Sequence, residues 1–347
     1  MKPVVAIAMS GGIDSLVSAH LLKNEGFSVF GIHFTTGFEP VGSEDRAPIA
    51  SNLSAQLDFP VHEVDLGNVF RTAVVEYFIR SYREGITPSP CLVCNPAVKF
   101  DALFNAANKM GGDLLATGHY ARVVKDASGR FRLLKGVDPA KDQSYFLSFL
   151  SQKQLSRACF PLGTLTKSEV KKLAAETGLS PAIRHESQDI CFIHDENYAD
   201  FLCRHAGIEP QPGPVVTVGG ETVGRHNGLY RFTVGQRRGI NCPSSEPYYV
   251  LRLIPSTNTL VVGRKQDLLF ECCIVDRPHW IGPTPHLPIS IEVRLRYRHR
   301  GIPATLSDAG DGTLKVSFSM PQKAPTPGQG AVFYTGNEVL GAGIILS

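Results

Sequence analysis

The stretch Val4-Val5-Ala6-Ile7-Ala8-Met9-Ser10-Gly11-Gly12-Ile13-Asp14-Ser15 decides the fold of this chain. Its apolar first half, rich in β-branched residues, is typical of a buried strand. Ser10-Gly11-Gly12 interrupts that run, and Ser15 opens an apolar-periodic segment that predicts a helix. A strand, a glycine turn and a helix N-terminus form an anion cradle, because free backbone N–H groups and the positive end of the helix dipole converge there. The stretch therefore predicts a phosphate-binding loop.

Asp14 is unexpected in an anion site unless a cation lies beside the phosphates. No Lys-Ser or Lys-Thr pair follows the loop, so it is not the loop of NTPases that cleave at the γ-phosphate. An ordinary tight turn with a capping serine is the alternative for this loop alone. The pattern Ser-Gly-Gly-x-Asp-Ser resembles the loop of the PP-loop ATP pyrophosphatases, which split ATP to AMP and pyrophosphate to activate a substrate.

The segments beyond the loop predict an α/β domain. Residues 28–34 (Ser-Val-Phe-Gly-Ile-His-Phe) predict a second strand, which completes a β-α-β unit and favours a parallel sheet with right-handed crossovers. Helices are expected over 47–57 and 69–82, with a third strand at 61–64. The polar loop 35–46 would lie beyond the carboxyl end of a strand, where such sheets bind ligands.

Length and composition limit the class of protein. A chain of 347 residues suggests two or three domains, and a net charge of +3 is not by itself a nucleic-acid signature. The first apolar run is cut by Gly-Gly before it could serve as a signal peptide, and no stretch approaches the length of a membrane span. Eight cysteines without an export signal predict a reducing cytoplasm, where they would be buried, catalytic or metal-bound.

Cys91 and Cys94 form a Cys-x-x-Cys pair after a stiff, proline-containing lead-in. Asn95 is a good N-cap and Pro96 suits the first helical position, so a helix is expected from Pro96 to about Met110. Cys94 would then lie just before a helix N-terminus, which lowers the pKa of a thiol toward the reactive thiolate. Half a zinc site is the alternative, but no second pair follows at a suitable spacing. Reactive thiol chemistry is favoured.

Three later stretches place polar groups beside apolar runs. Residues 113–120 predict a strand that ends in Gly118 and His119, although a lone histidine is more often structural. Residues 141–147 predict either a capped helix start or a polar contact site, and a helix capped by Thr166 is expected over 167–177. Cys191 lies in a strand-like apolar run, and on its own would be a buried small hydrophobe.

The composition changes at the proline-rich stretch 207–214, which predicts the first domain boundary. We expect an α/β domain over 1–206, a small β-rich domain over 207–273 and a β-barrel over 274–347. The central part contains a basic glycine loop at 233–239. In 293–300 an arginine occupies every second position, so a strand would place four arginines on one face. A solvated face is common, but contact with phosphates is the better explanation.

Over nearly its whole length the chain resembles the bacterial tRNA 2-thiouridylases, the MnmA family. The matching motifs, in the order of the family, are Ser10–Ser15, Thr87-Pro88 with Cys94-Asn95 and Lys99-Phe100, Ala116-Thr-Gly-His-Tyr-Ala-Arg122, Lys141-Asp-Gln-Ser-Tyr-Phe-Leu147, Ile190-Cys-Phe-Ile193, Gly228-Leu-Tyr with Thr233-Val-Gly-Gln-Arg-Arg-Gly239, Arg296-Tyr297-Arg298, and Thr326-Pro-Gly-Gln-Gly-Ala-Val-Phe-Tyr334.

This resemblance implies a tRNA-uridine 2-sulfurtransferase. The C2 oxygen of the wobble uridine, in the anticodon stem-loop of tRNA, would be adenylated by ATP with Mg²⁺, because that oxygen is a poor leaving group. Sulfur would then arrive as a cysteine persulfide from a cysteine desulfurase or a relay protein. By position, Cys191 is implied as the persulfide carrier and Cys94 as the thiol that frees the sulfur by forming a disulfide.

The resemblance also implies a set of binding residues. The nucleotide would be lined by Ala8, Met9, Ser10, Gly11, Gly12, Ile13, Asp14, Ser15, Phe34 and Gly118, with Asp14 as the ligand of Mg²⁺. The target base would be approached by Ser89, Pro90 and Cys91, and the rest of the tRNA by His119, Lys141, Asp142, Gln143, Arg296, Tyr297 and Gln329.

The chain departs from the family pattern at two places. Many members have an aspartate where this chain has Cys91, which leaves the usual general acid/base position without a carboxylate. The loop after the second strand also lacks the Asn-Trp-acidic segment of the family, which puts the nucleotide or base contacts of that loop in doubt. Cys91, Cys94 and Cys191 together suggest an alternative, a [4Fe–4S] cluster with one open iron that holds the sulfur. A catalytically inactive tRNA-binding protein of the same fold is a further alternative.

Overall fold

The computed structural model describes residues 2–39, 49–182, 190–194 and 196–347, so most of the polar loop predicted over 35–46 lies outside the described residues. The fold begins with a five-stranded parallel sheet, as the β-α-β pattern predicts. Its strands are β1 (Val4–Ala8), β2 (Ser28–Thr35), β3 (Val61–Asp65), β4 (Leu114–Ala116) and β7 (Ala158–Cys159), in the order β3-β2-β1-β4-β7. Two strands added on each side of β1 in this way produce a topological switch point at its carboxyl end. The expected strand over 113–120 is only three residues long.

Helices cover both faces of this sheet. They are α1 (Ile13–Asn24), α2 (Ile49–Leu57), α3 (Gly67–Phe70), α4 (Glu76–Arg83), α5 (Pro90–Cys94), α6 (Phe104–Lys109), α7 (Gln152–Leu155), α8 (Lys167–Glu176) and α9 (Tyr198–Ala206). The π-helical segments Arg71–Val75 and Asn95–Leu103 join α3 to α4 and α5 to α6. Thr166 caps α8 through a capping box with Glu169, as the sequence predicts.

The helix that bears Cys91 and Cys94 begins earlier than expected. We call the continuous helix from Pro90 to Lys109 the cysteine helix. Pro90, rather than Pro96, occupies the first turn, where its fixed φ and missing N–H fit. Asn95 has helical dihedral angles (φ −60°, ψ −55°), so it is not an N-cap. The prediction that Cys94 precedes a helix start is therefore wrong, because Cys94 lies inside the helix.

Two antiparallel β units follow. The first is a four-stranded sheet of β8 (Gly213–Thr217), β9 (Thr222–His226), β10 (Tyr249–Ile254) and β11 (Thr259–Gly263), in which only β8 and β11 are parallel. The second is a closed six-stranded barrel of β12 (Leu269–Trp280), β13 (Ile289–Arg294), β14 (Ile302–Gly310), β15 (Thr313–Lys323), β16 (Gly330–Thr335) and β17 (Glu338–Ile345). Pairing of β12 with β17 closes it.

The N-terminal part of the chain contributes two strands to the barrel sheet. The hairpin of β5 (Ala121–Lys125) and β6 (Phe131–Lys135) leaves the α/β domain, and β6 pairs with β17. Glu338 of β17 forms salt bridges with both Arg130 and Arg132 of this hairpin. The barrel is thus attached to the α/β domain by a shared sheet edge, which the domain division drawn from composition does not anticipate.

In the parts of the chain that the structure describes, no helix is long and apolar enough to cross a membrane.

Candidate active site

The loop Ser10–Ser15 joins the buried strand β1 to α1 at the carboxyl edge of the sheet. Gly11 has φ +78°, a backbone conformation that glycine adopts without strain. The Ser15 hydroxyl donates to the Gly12 carbonyl at 2.9 Å and lies 3.4 Å from the Ser10 hydroxyl. The N-terminal N–H groups of α1 have no side-chain cap. The strand, glycine turn and uncapped helix N-terminus on which the predicted anion site depends are therefore present.

The end of β4 approaches the loop closely at Gly118. A Cβ added there would lie 3.0 Å from the backbone carbon and from Cβ of Asp14. Only glycine allows this approach without a shift of the loop, which explains why glycine follows the strand. Ala8 and Met9, also predicted to line the nucleotide, are buried, whereas Ile13 and Phe34 are half-buried beside the loop.

The cation that Asp14 requires is supplied by the protein itself. The Lys167 ammonium lies 2.8 Å from Oδ1 and 2.9 Å from Oδ2 of Asp14, and the Tyr120 hydroxyl donates to Oδ1 at 2.8 Å. Lys167 is the first residue of α8 and its side chain is 9% exposed. Both carboxylate oxygens therefore have partners within the protein, and the assignment of Asp14 to Mg²⁺ stays a prediction.

The thiol of Cys94 is not activated in the way the sequence suggested. Cys94 is buried inside the cysteine helix, and burial raises the pKa of its thiol to about 12. The positive charge of Lys99 opposes this effect without cancelling it. The prediction of a lowered pKa is wrong because it depended on a helix N-terminus at Asn95. Cys94 is a protonated thiol near neutral pH unless a base removes its proton.

Cys191 lies on a turn rather than a strand. The residue is exposed, and protein atoms around it nevertheless raise the pKa of its thiol. Its neighbour Phe192 is buried in an aromatic cluster, with ring centroids 5.6 Å from Phe70, 5.3 Å from Phe78 and 5.4 Å from Phe201. The turn therefore presents Cys191 at the surface and is anchored by Phe192.

Lys99 is the charged side chain that acts on all three cysteines. Surrounding protein atoms displace water and raise the pKa of the Cys91, Cys94 and Cys191 thiols, although Cys91 and Cys191 keep exposed surface, and in each case the charge of Lys99 lowers that pKa. Lys99 follows Cys94 by five residues, the hydrogen-bond spacing of the π-helical segment that contains it. The effect of its charge on Cys91 and Cys94 places the ammonium near the thiols of the cysteine helix. A cation there favours thiolate and persulfide anions.

The described residues do not form a metal centre. Among them, no group of three or more His, Cys, Asp or Glu side chains is arranged to hold a metal ion. Cys91, Cys94 and Cys191 all belong to the described residues, so their thiols do not fit a preformed [4Fe–4S] ligand set.

The barrel and the central domain both contact the lead-in to the cysteine helix. The Gln329 side chain donates to the carbonyls of Thr87 and Pro88 at 3.1 and 3.0 Å. The Thr87 N–H donates to the Pro327 carbonyl at 3.0 Å, and the Thr87 hydroxyl donates to the Thr233 hydroxyl at 3.2 Å. The stretch that contains Ser89, Pro90 and Cys91 is thereby fixed by both the barrel and the central domain. Gln329 serves this purpose in addition to any contact with tRNA.

Two residues expected to contact tRNA have internal partners instead. Asp142 is buried, and its carboxylate accepts hydrogen bonds from the Gly136 and Ser144 backbones and pairs with Arg294 at 2.8 Å. His119 is buried between Phe100 and Phe160, and burial lowers its pKa well below the usual value, so the ring is neutral. The structure therefore does not support direct contact through Asp142, nor a charged contact through His119.

Three further residues predicted to contact tRNA, Lys141, Gln143 and Tyr297, differ in their surroundings. Gln143 exchanges two hydrogen bonds with Tyr120, so it fixes the tyrosine that holds Asp14. Lys141 is half-buried, and Tyr297 lies over Phe146 with ring centroids 4.3 Å apart.

The arginine-rich stretch is not a strand along its length. Strand β13 ends at Arg294, and residues 295–298 form a bend and a turn. Arg294 points inward to Asp142, whereas Arg296, Arg298 and Arg300 are exposed. The prediction of four arginines on one strand face is wrong. Because alternation alone does not show where a strand ends, the sequence could not distinguish a turn from a strand here.

Comparisons with known proteins show the family of this chain. The chain matches a family model described as "tRNA methyl transferase HUP domain" over residues 3–195, one described as "tRNA methyl transferase PRC-barrel domain" over 199–264, and one described as "Aminomethyltransferase beta-barrel domain" over 270–345. It is 50% identical over 344 residues to a tRNA-specific 2-thiouridylase MnmA of Desulfosudis oleivorans, covering 99% of this chain and 95% of that protein. This chain belongs to the tRNA-specific 2-thiouridylase family.

Other members of the 2-thiouridylase family are similar over the same length. The protein of the same name from Geotalea uraniireducens is 43% identical, covering 98% of this chain and 94% of the relative. That from Trichlorobacter lovleyi is 42% identical, covering 98% and 97%. The resemblance drawn from the sequence motifs is thereby confirmed.

Sequence reasoning missed several residues of this site. Lys167 and Tyr120 bind the carboxylate of Asp14 in the loop. Lys99 lowers the pKa of the nearby thiols, and Thr233 accepts a hydrogen bond from Thr87 in the lead-in to the cysteine helix. The unexplained aspartate in an anion loop was the one signal of a missing cation, and it gave no indication of which lysine supplies it.

Proposed function

We propose that this protein is a tRNA-uridine 2-sulfurtransferase that activates the C2 oxygen of the wobble uridine with ATP and replaces it with sulfur. The observation that carries the proposal is the combination of the phosphate cradle at Ser10–Ser15 with a cysteine helix supported by both β units. Family membership implies ATP use and a tRNA substrate. Mg²⁺ is expected to accompany the phosphates of ATP.

The first step is adenylation. The uridine C2 oxygen attacks the α-phosphorus of ATP, the bond to the bridging oxygen of the β-phosphate breaks, and pyrophosphate leaves with the electron pair. The uracil N3 proton passes to solvent or to a base. The loop backbone and the N-terminus of α1 would bind the phosphates, and Gly118 leaves space beside them. Position 91 holds a thiol, so no carboxylate is available there as the base.

The second step transfers sulfur. The terminal sulfur of a persulfide on Cys191 attacks C2, and the C2 oxygen leaves with AMP. Cys94 then attacks the Cys191 sulfur, so the S–S bond of the persulfide breaks and a Cys94–Cys191 disulfide forms. An exposed Cys191 suits a carrier that must accept sulfur from a donor protein, such as a cysteine desulfurase or a relay protein. Lys99 would stabilise the anionic sulfur at both cysteines.

The remaining assignments stay proposals. Ser89, Pro90 and Cys91 would face the target base, and Arg296, Tyr297 and Lys141 would contact the tRNA. The division into 1–206, 207–273 and 274–347, and a cytoplasmic location, also stay predictions.

The test is a reconstituted reaction with unmodified tRNA, Mg·ATP, a cysteine desulfurase with cysteine as the sulfur source, and dithiothreitol to reduce the Cys94–Cys191 disulfide after each turnover. We expect one AMP and one pyrophosphate for each 2-thiouridine detected by mass spectrometry of tRNA digests. Omission of ATP should abolish thiolation. Tight tRNA binding without AMP release under these conditions would indicate the inactive tRNA-binding alternative and would overturn the proposal.

A further inference from the structure

The loop Ser10–Ser15 contains no lysine, but the ammonium of a lysine from a distant part of the chain lies against it. Lys167 lies 153 residues beyond Asp14, yet its ammonium contacts both oxygens of the Asp14 carboxylate. Asp14 is in the first turn of α1, so the ammonium is at the mouth of the anion cradle. Among NTPase loops, a lysine within the loop reaches the β- and γ-phosphates. The loop of this chain has no lysine at that position in the sequence, and the tertiary structure brings Lys167 to the loop instead.

The position of this ammonium is determined by several separate elements. Thr166 and Glu169 fix the N-terminus of α8 through a capping box, and the Lys167 N–H donates to Asp138 at 2.9 Å. The Tyr120 hydroxyl shares the Asp14 carboxylate with the ammonium, and Gln143 holds the Tyr120 backbone. A charge held this firmly is preorganised, because little reorganisation is needed when an anionic ligand arrives.

Structural stabilisation alone does not explain the pair. Removing two charges from water costs more than their attraction usually returns, so a buried ion pair is weak support for a purely stabilising role. Lys167 keeps 9% of its side chain exposed and Asp14 keeps 32%, so the ammonium is nearly buried and the carboxylate is the more exposed partner. A cation held at the first turn of α1, where the helix N-terminus has no side-chain cap, favours binding of a polyanion.

We propose that Lys167 is the phosphate-binding lysine of this site, which contacts the pyrophosphate portion of ATP, and that Asp14 is the positioning residue that orients it. This inference rests on the proposed function, in which ATP binds over the loop. When the bond between the α-phosphorus and the bridging oxygen breaks, negative charge accumulates on pyrophosphate, and the Lys167 ammonium stabilises that charge. Asp14 then acts through Lys167 rather than through a metal ion.

The test compares binding of ATP and AMP by titration calorimetry in Lys167→Met and in the wild type. AMP lacks the β- and γ-phosphates, so a lysine that binds them affects ATP alone. We expect Lys167→Met to weaken ATP binding roughly 10- to 100-fold, the loss typical of one charged hydrogen bond, and to leave AMP binding unchanged. Lys167→Arg should recover part of the ATP affinity.

Lys172→Met is the matched control. Lys172 is on the same helix, its side chain is 77% exposed, and it pairs with the exposed Glu176 at 3.8 Å. Its removal changes the net charge equally, so any general electrostatic effect on ATP binding would be seen in both variants. We expect Lys172→Met to bind ATP and AMP as the wild type does.

The unpaired Asp14 in Lys167→Met is a risk to folding, so the double variant Asp14→Asn/Lys167→Met is included. It removes both charges and should unfold at a temperature near that of the wild type, yet still bind ATP weakly and AMP normally. Equal loss of ATP and AMP binding in both variants would show that Lys167 only holds the loop, and unchanged ATP binding would also refute the proposal. A wild-type protein that binds no ATP would instead refute the proposed function.

Discussion

At the scale of single residues, environment rather than identity sets the chemistry of the cysteines. Cys94 has a thiol pKa raised to about 12 because it is buried, and Cys191 is exposed on a turn. Of the two, only Cys191 can readily meet a donor protein. Cys94 is protected from solvent oxidants until a persulfide is brought to it, which suits a thiol that acts last.

We therefore predict that Cys94→Ala and Cys191→Ala each abolish 2-thiouridine formation while tRNA-dependent pyrophosphate release continues. Sulfur transfer needs both thiols, whereas adenylation needs neither. Cys159→Ala is the control, because Cys159 is a free, half-buried cysteine in β7. Mass spectrometry of tRNA digests and a pyrophosphate assay give the two readouts.

Cys91→Ala distinguishes the two sulfur mechanisms. Under persulfide transfer Cys91 is dispensable for sulfur delivery, so this variant should still form 2-thiouridine, at a reduced rate if the thiol assists proton transfer. An iron-loaded enzyme, purified without oxygen, in which all three variants are inactive would contradict the persulfide mechanism.

At the scale of elements, the turn 190–193 depends on one anchor. Phe192 is buried among Phe38, Phe70, Phe78 and Phe201, and residues 190–194 form no strand or helix. The aromatic cluster thus substitutes for regular secondary structure in placing Cys191. The cysteine helix shows the opposite arrangement, in which regular and π-helical backbone fixes the thiol.

We expect Phe192→Ala to reduce 2-thiouridine formation more strongly than pyrophosphate release, because the turn loses its anchor while the nucleotide loop is unaffected. The cavity should also lower the free energy of unfolding by about 3–5 kcal/mol. A leucine at position 192 fills most of the space left by the phenylalanine. Phe192→Leu should therefore lose less 2-thiouridine formation and less free energy of unfolding than Phe192→Ala. Equal loss of the two activities in Phe192→Ala would contradict a specific role in positioning Cys191.

At the scale of the whole molecule, the barrel and the α/β domain form one connected body. Arg294 at the end of β13 pairs with Asp142, which is 1% exposed, and the hairpin β5–β6 extends the barrel sheet. The barrel loop at 326–330 supports the cysteine lead-in in turn. Side chains of the barrel and of the central domain thus both contact the α/β domain at this lead-in.

We predict that Arg294→Met lowers the free energy of unfolding by about 3–5 kcal/mol, because it leaves the Asp142 charge buried and unpaired. Urea unfolding, followed by circular dichroism, measures the change. Arg298→Met is the control, since Arg298 is exposed and its replacement should alter stability by less than about 0.5 kcal/mol. A similar small effect in Arg294→Met would mean that the ion pair does not join the domains.

For tRNA binding, the exposed arginines are the relevant ones. Replacement of Arg296 and Arg298 by alanine should weaken binding and reduce the slope of log affinity against log salt by roughly 0.7–0.9 for each phosphate that is no longer neutralised. Filter binding over a series of salt concentrations provides the measurement. Lys109→Ala, at the last position of α6, is a control that removes one positive charge from another part of the surface. A slope in the double arginine variant as steep as that of the wild type would exclude this surface from tRNA binding.

The sequence by itself determined the features that depend on neighbours in the chain. The apolar run Val4–Ala8, followed by a glycine turn and an apolar helix, was enough for the parallel sheet and the phosphate cradle. Short-range motifs in the order of the 2-thiouridylase family were enough for the family. Local chemistry also identified the capped start of α8, because a capping box spans only four residues.

Only the tertiary structure decided the features that depend on residues far apart in the chain. It placed Lys167 against Asp14, turned Arg294 inward to Asp142, and buried Cys94 so that its pKa rises instead of falling. Desolvation and ion pairing depend on what surrounds a group in space, and the partners in these two ion pairs are 153 and 152 residues apart in the chain. No local pattern contains that information.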